Sequence, residues 1–179
     1  MEKSKKNSNV YCAVVDIDCG KKDLQQCADA VMRLRAEYLF SINRLDAIHF
    51  NDLPDNKPHY FIEFANGKTD YATFRRYFDY IFAYANTSSL CDELIPQKLE
   101  NIEAGNVWVQ KGKPFGHTVT VMDVAKDKNG SRIFLLSQSY MPAQDIHILI
   151  NPTDARINPW FSTKDLEILL TPEWIFYLN

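Results

Sequence analysis

The chain has 179 residues, 46% hydrophobic and 13% aromatic, which is ample material for the core of one α+β domain spanning 1–179. Its formal net charge of −3 carries no basic excess and argues against a general electrostatic grip on nucleic acid. No apolar run approaches the roughly 20 residues that cross a bilayer, and the charged start (Lys3, Lys5, Lys6) reads as a frayed tail over 1–8 rather than a secretory signal. By default the chain reads as cytoplasmic, or as the mature part of something longer.

In chain order, Val10 to Ile17 is β-branched and apolar and predicts a buried strand ended by Cys19-Gly20. Asp23-Leu24-Gln25-Gln26 resembles a capped helix start, with Asp23 as cap and Gln26 three residues on. The helix then runs to about Phe40, with Leu24, Cys27, Val31, Leu34 and Tyr38 as its apolar stripe and Arg33, Arg35 and Glu37 off it. Tyr60 to Phe64 predicts a short strand, Asp70 to Ala85 a second helix, and Ser88 to Leu94 a third capped by Thr87 or Ser88. From Asn106 the pattern changes to period two. Val107–Val109, His117–Ala125, Arg132–Ser139 and Ile146–Ile150 predict four strands, with Asp127–Gly130 as a hairpin turn. Trp174 to Leu178 is apolar enough to dock on the core. The expected architecture is helices packed on a mainly antiparallel sheet.

Among the four cysteines no Cys-x-x-Cys pair occurs. The default for at least two of them is a small buried thiol, although pairing among Cys12, Cys19 and Cys27 stays open. Cys27 alone lies near a predicted helix start, where orphan N–H groups and the macrodipole favour a thiolate. A structural thiol on the apolar stripe is the competing reading. His117 follows Gly116 at the mouth of the clearest strand and suits a general base, against the plainer reading of a surface histidine. If the hairpin turn has two or four residues, Gln138 shares a face with His117, and its amide oxygen is placed to orient the imidazole. A β-bulge would reverse that parity. Asp123 shares the face but lies too far along the strand. Gln26 is a candidate oxyanion donor beside the Cys27 N–H, while Gln25 reads as solvated or capping. No zinc motif, tight His/Asp cluster or phosphate loop appears, so neither metal nor cofactor is expected.

These residues carry a resemblance. Asp23–Leu39, Tyr84–Leu90, Gly116–Val124, Ser137–Gln144 and Thr171–Trp174 resemble the signature segments of domain-of-unknown-function family 4846, found mainly in Bacteroidota. Two departures stand out. Gly105-Asn106 replaces the family's usual Gly-Asp, and the segment around 50–70 looks shortened. Family members typically carry an upstream secretion or lipoprotein signal, which implies the cell envelope. A looser resemblance, in layout alone, runs to papain-like folds of the NlpC type. It implies a cysteine hydrolase in which Cys27 attacks a peptide or amide, His117 moves the proton and Gln138 orients it. The alternative is a non-catalytic binding domain built on the aromatic segments Tyr71–Tyr84, Trp160-Phe161 and Trp174.

Overall fold

The computed structural model describes residues 9–178. The strands are β1 Tyr11–Val14, β2 His49–Asn51, β3 Pro58–Tyr60, β4 Val107–Gln110, β5 His117–Lys126, β6 Arg132–Gln138, β7 His147–Leu149, β8 Phe161–Ser162, β9 Ile168–Leu170 and β10 Ile175–Tyr177. The helices are α1 Cys27–Ser41, α2 Phe61–Ala65, α3 Tyr71–Tyr84 and α4 Thr87–Glu93. The main sheet runs β1-β7-β6-β5-β4, with β8 on the far end of β6, and its pairings are antiparallel. This is an α+β fold. The tail expected over 1–8 lies outside the described residues, and no described helix is long and apolar enough to cross a membrane.

Two apolar clusters form around the sheet. Val119, Val121, Phe134, Leu136, Leu149 and Phe176 make one. The other is helical, with Val31, Met32, Phe61, Phe74, Phe78 and Ile81 at its centre. Strand alternation puts Thr118, Thr120, Ser137 and Ser139, all buried, on the sheet face opposite Val119 and Leu136. α1 packs on β5 and β6, and these small polar residues leave room for its backbone. Ser139 Oγ bonds the Gln25 carbonyl at 2.9 Å and pins the start of α1 to the sheet.

Several boundaries shift for identifiable reasons. α1 starts at Cys27 rather than Asp23, because the Asp23 carboxylate accepts the Ala143 N–H (2.6 Å) instead of capping, and Asp29 Oδ2 accepts the Gln26 N–H (2.9 Å). Its buried side keeps Cys27 and Val31 of the predicted stripe but widens to Ala28, Met32, Arg33 and Ala36, whereas Tyr38 is 63% exposed. The first strand is shorter than Val10–Ile17 and mostly exposed, because as an edge strand it pairs only with β7. Tyr60–Phe64 is not a strand: β3 ends at Tyr60 and the next residues turn into α2, burying Phe61 and Ala65 on one side. The cap of α4 is Asn86, whose Oδ1 accepts from the N–H groups of Ser88 (2.7 Å) and Ser89 (3.2 Å).

The β5–β6 hairpin departs from expectation twice, and the departures cancel. Lys126 pairs with Arg132, so the turn holds five residues and reverses the expected parity. A bulge between Val121 and Asp123 reverses it again, and Val121 pairs with Leu136 and Thr120 with Ser137. Gln138 therefore shares the face of His117 after all, while Asp123, beyond the bulge, moves to the other face.

Candidate functional site

Cys27 is the first residue of α1, where the N–H groups of the opening turn lack partners within the helix. Its Sγ lies 3.9 Å from Thr87 Oγ1 and 4.0 Å from the Gly116 carbonyl oxygen. Burial pushes the Cys27 thiol up. The Thr87 hydroxyl and the N–H groups of Ala28 and Thr118 act the other way, and the Asp29 charge adds a further upward push. The sulfur is thus bracketed by the residues on both sides of His117. Such close approach needs a glycine: a Cβ on Gly116 would run into the Gln110 carbonyl and crowd the Thr87 methyl. Among the described residues Cys27 is the only buried cysteine, and Cys12, Cys19, Cys27 and Cys91 are all free thiols.

The His117 imidazole is 2% exposed and packs among Trp174 (5.1 Å between ring centres), Tyr140 (5.2 Å) and Phe176 (5.8 Å). Its Nε2 lies 2.9 Å from Gln138 Oε1. The surroundings decide which atom of the Gln138 amide faces the ring. Gln138 Nε2 donates to Glu173 Oε2 at 2.7 Å. It also lies 3.5 Å from His147 Nε2, and His147 Nδ1 is occupied by the Asp145 carbonyl at 2.9 Å. A carbonyl only accepts, so the neutral His147 ring holds its proton on Nδ1 and offers a lone pair at Nε2. Both neighbours of the Gln138 nitrogen are acceptors, and its oxygen must face His117. That oxygen in turn accepts from His117 Nε2–H, which leaves the lone pair of the neutral His117 ring on Nδ1.

A cleft of about 790 Å³ opens at this corner, bordered by Gln26 and Cys27, by Asn86 and Thr87, and by Lys111 to Gly116. Asp29 also borders it. Burial pushes this carboxyl up to about 7, against the lowering effect of the N–H groups of Gln26 and Asp29. Gln26 stands beside the thiol at the cleft, as its sequence position suggests. Gln25 does not: it is 1% exposed, and its Oε1 accepts from Arg33 Nη1 at 3.2 Å. Among the aromatic side chains of α3, Phe74, Tyr77 and Phe78 are fully buried in the core, whereas Phe82 borders the cleft.

Four further residues join the site: Thr87, Tyr140, Glu173 and His147. The Tyr140 phenol feels the charges of both Glu173 and Cys27, after burial the main causes of its upward shift, and its ring packs on His117. Thr87, Tyr140 and Glu173 all lie inside the signature segments quoted above, the one signal by which the sequence marks them. Their isolated residue types carry none.

The sequence pattern of domain of unknown function (4846) matches residues 1–69 and 52–179. The chain belongs to this family. The two matched stretches overlap over 52–69, the region that looks shortened in the sequence. Comparison with curated proteins and with solved structures finds no match.

Proposed function

We propose that this member of family 4846 is a papain-like cysteine hydrolase acting on a peptide or amide, possessing Cys27 as nucleophile, His117 as base, Gln138 as its orienting partner and Gln26 in support. The observation that carries the reading is the hydrogen-bond chain Glu173–Gln138–His117, which orients the imidazole, together with a helix-start thiol that borders the cleft and contacts both neighbours of that histidine. In this reaction Cys27 Sγ attacks the carbonyl carbon and its proton passes to His117 Nδ1. The tetrahedral oxyanion takes donors from the Cys27 N–H and the Gln26 side chain. Collapse expels the amine, which leaves with the proton from His117. Water, deprotonated by His117, then cleaves the thioester and frees the acid and the thiol. Because burial holds the resting thiol up, the imidazole must take the proton as attack proceeds.

The test uses a Cys12→Ser, Cys19→Ser, Cys91→Ser background and a peptide carrying a thiol-reactive warhead. The reading expects Cys27 to be modified rapidly at neutral pH, with His117→Ala slowing it at least about 100-fold. Equal rates in the two proteins, or an inert Cys27, sink it.

A further inference from the structure

The loop between β2 and β3 holds Asp52 and Asp55, β3 carries His59, and one ligand atom from each lies within 4.8 Å of the other two. The sequence conceals this grouping because the hairpin makes it: Asn51 pairs with Pro58 and Phe50 with His59, which folds Asp52 back beside the imidazole. Three features separate it from a solvated acidic loop. The Asp52 side chain is 7% exposed, and its Oδ1 is buried with no hydrogen-bond partner among the described residues. His59 Nε2 stands 2.9 Å from Asp52 Oδ2 but out of line for a hydrogen bond, and it too is buried without one. Asp52 and Asp55 each bring a carboxylate oxygen within 4.8 Å of the other, and two like charges at that range favour a cation between them. The Lys57 ammonium meets Asp55 Oδ2 at 2.8 Å, yet its side chain is 72% exposed and leaves Asp52 Oδ1 unserved. On the other side of the ring, His59 Nδ1 lies 3.5 Å from the Tyr80 hydroxyl, an outer partner that turns Nε2 toward the carboxylates.

We propose that Asp52, Asp55 and His59 form a binding site for a borderline divalent transition-metal ion of the zinc class. One imidazole nitrogen with two carboxylates suits Zn²⁺ better than Ca²⁺ or Mg²⁺, which favour all-oxygen shells. Bonds of 2.0–2.2 Å in a tetrahedron put neighbouring ligand atoms about 3.4 Å apart. The 2.9 Å from imidazole to carboxylate and the 4.8 Å bound on the set bracket that spacing. Solvent water supplies the fourth position on the exposed side of the loop. The ion would clip the 52–57 loop onto β3 through His59, beside the tie to α3 that the Leu53 N–H makes with the Tyr84 carbonyl at 2.8 Å. The second grouping, Asp18, Cys19 and Asp145, lacks these features: Asp18 Oδ1 and Asp145 Oδ1 already accept backbone N–H groups. It serves as the control.

The full chain, stripped with a chelator, is titrated with Zn²⁺ by calorimetry and with Co²⁺ by visible absorption. The proposal expects one equivalent bound and a cobalt spectrum free of a thiolate charge-transfer band. Asp52→Asn and His59→Gln each weaken binding at least about tenfold, Lys57→Ala tightens it, and Asp145→Asn leaves it unchanged. Circular dichroism confirms that each variant is folded. No saturable binding in either wild type or Lys57→Ala overturns the site, as does a thiolate band or equal affinity in the folded His59→Gln protein.

Discussion

Two buried polar networks of similar make-up sit in different parts of the molecule. In the helical part, Arg33, 1% exposed, bonds Glu37 (2.6 Å), Gln25 (3.2 Å) and Tyr71 (3.1 Å) and lies over the Phe78 ring at 5.1 Å. In the sheet part, His117, Gln138, Glu173 and His147 form a chain of comparable burial. The first network joins α1 to α3, and none of Arg33, Glu37, Gln25 and Tyr71 borders the cleft beside Cys27, so it accounts for itself as structure. The second runs to the strand mouth where the thiol and the cleft meet. Burial and pairing therefore do not distinguish a functional network from a structural one; where the chain of bonds terminates does.

His117→Ala separates the two most sharply. Peptide or amide turnover should fall by roughly 10²–10⁴-fold while thermal stability changes little by comparison, as read by steady-state kinetics beside a melting curve. Arg33→Ala is the mirror experiment. It leaves the Glu37 carboxylate without its buried partner and should cost about 3–5 kcal/mol in chemical denaturation. The surviving folded fraction should keep its Cys27 modification rate. A comparable loss of rate per folded molecule would show that the networks are coupled.

Asp29→Asn has a smaller effect that depends on pH. The folded carboxyl titrates at about 7, above its ordinary value of 3.8, so the folded state binds more protons than the unfolded one between those limits. Stability contributed by the neutral acid is complete below about 4 and lost as pH rises toward and through 7. The asparagine variant should lose this slope, worth a few kcal/mol at most, when urea unfolding is compared at pH 5 and pH 8. Glu173→Gln is the mildest change. A glutamine donates as well as accepts, so the Gln138 amide is free to flip and present Nε2 to His117. Turnover should fall about tenfold, the difference between a charge-assisted and a neutral hydrogen bond, with KM unchanged.

Much of the sheet was legible in the sequence, because period-two alternation from Val107 onward follows directly from strand geometry. The grouping of His117 with Gln138 was reachable too, but through a parity that held only because a five-residue turn and a bulge offset each other. Local pattern has no means of registering a bulge inside an apolar run. The start of α1 was misplaced for a related reason. Asp23 is a good cap by type, and nothing nearby in sequence shows that Ala143, 120 residues away, takes its carboxylate.

The sequence by itself determined the α+β class, the helix bearing Cys27, the strand opening with His117 and the family, since these rest on periodicity and on contiguous segments. Only the tertiary structure decided that Arg33 is buried, that Glu173 and His147 fix the Gln138 amide, and that Asp52, Asp55 and His59 converge. Each of those depends on where distant backbones cross, and crossing is set by packing of the whole chain rather than by the preferences of any one stretch.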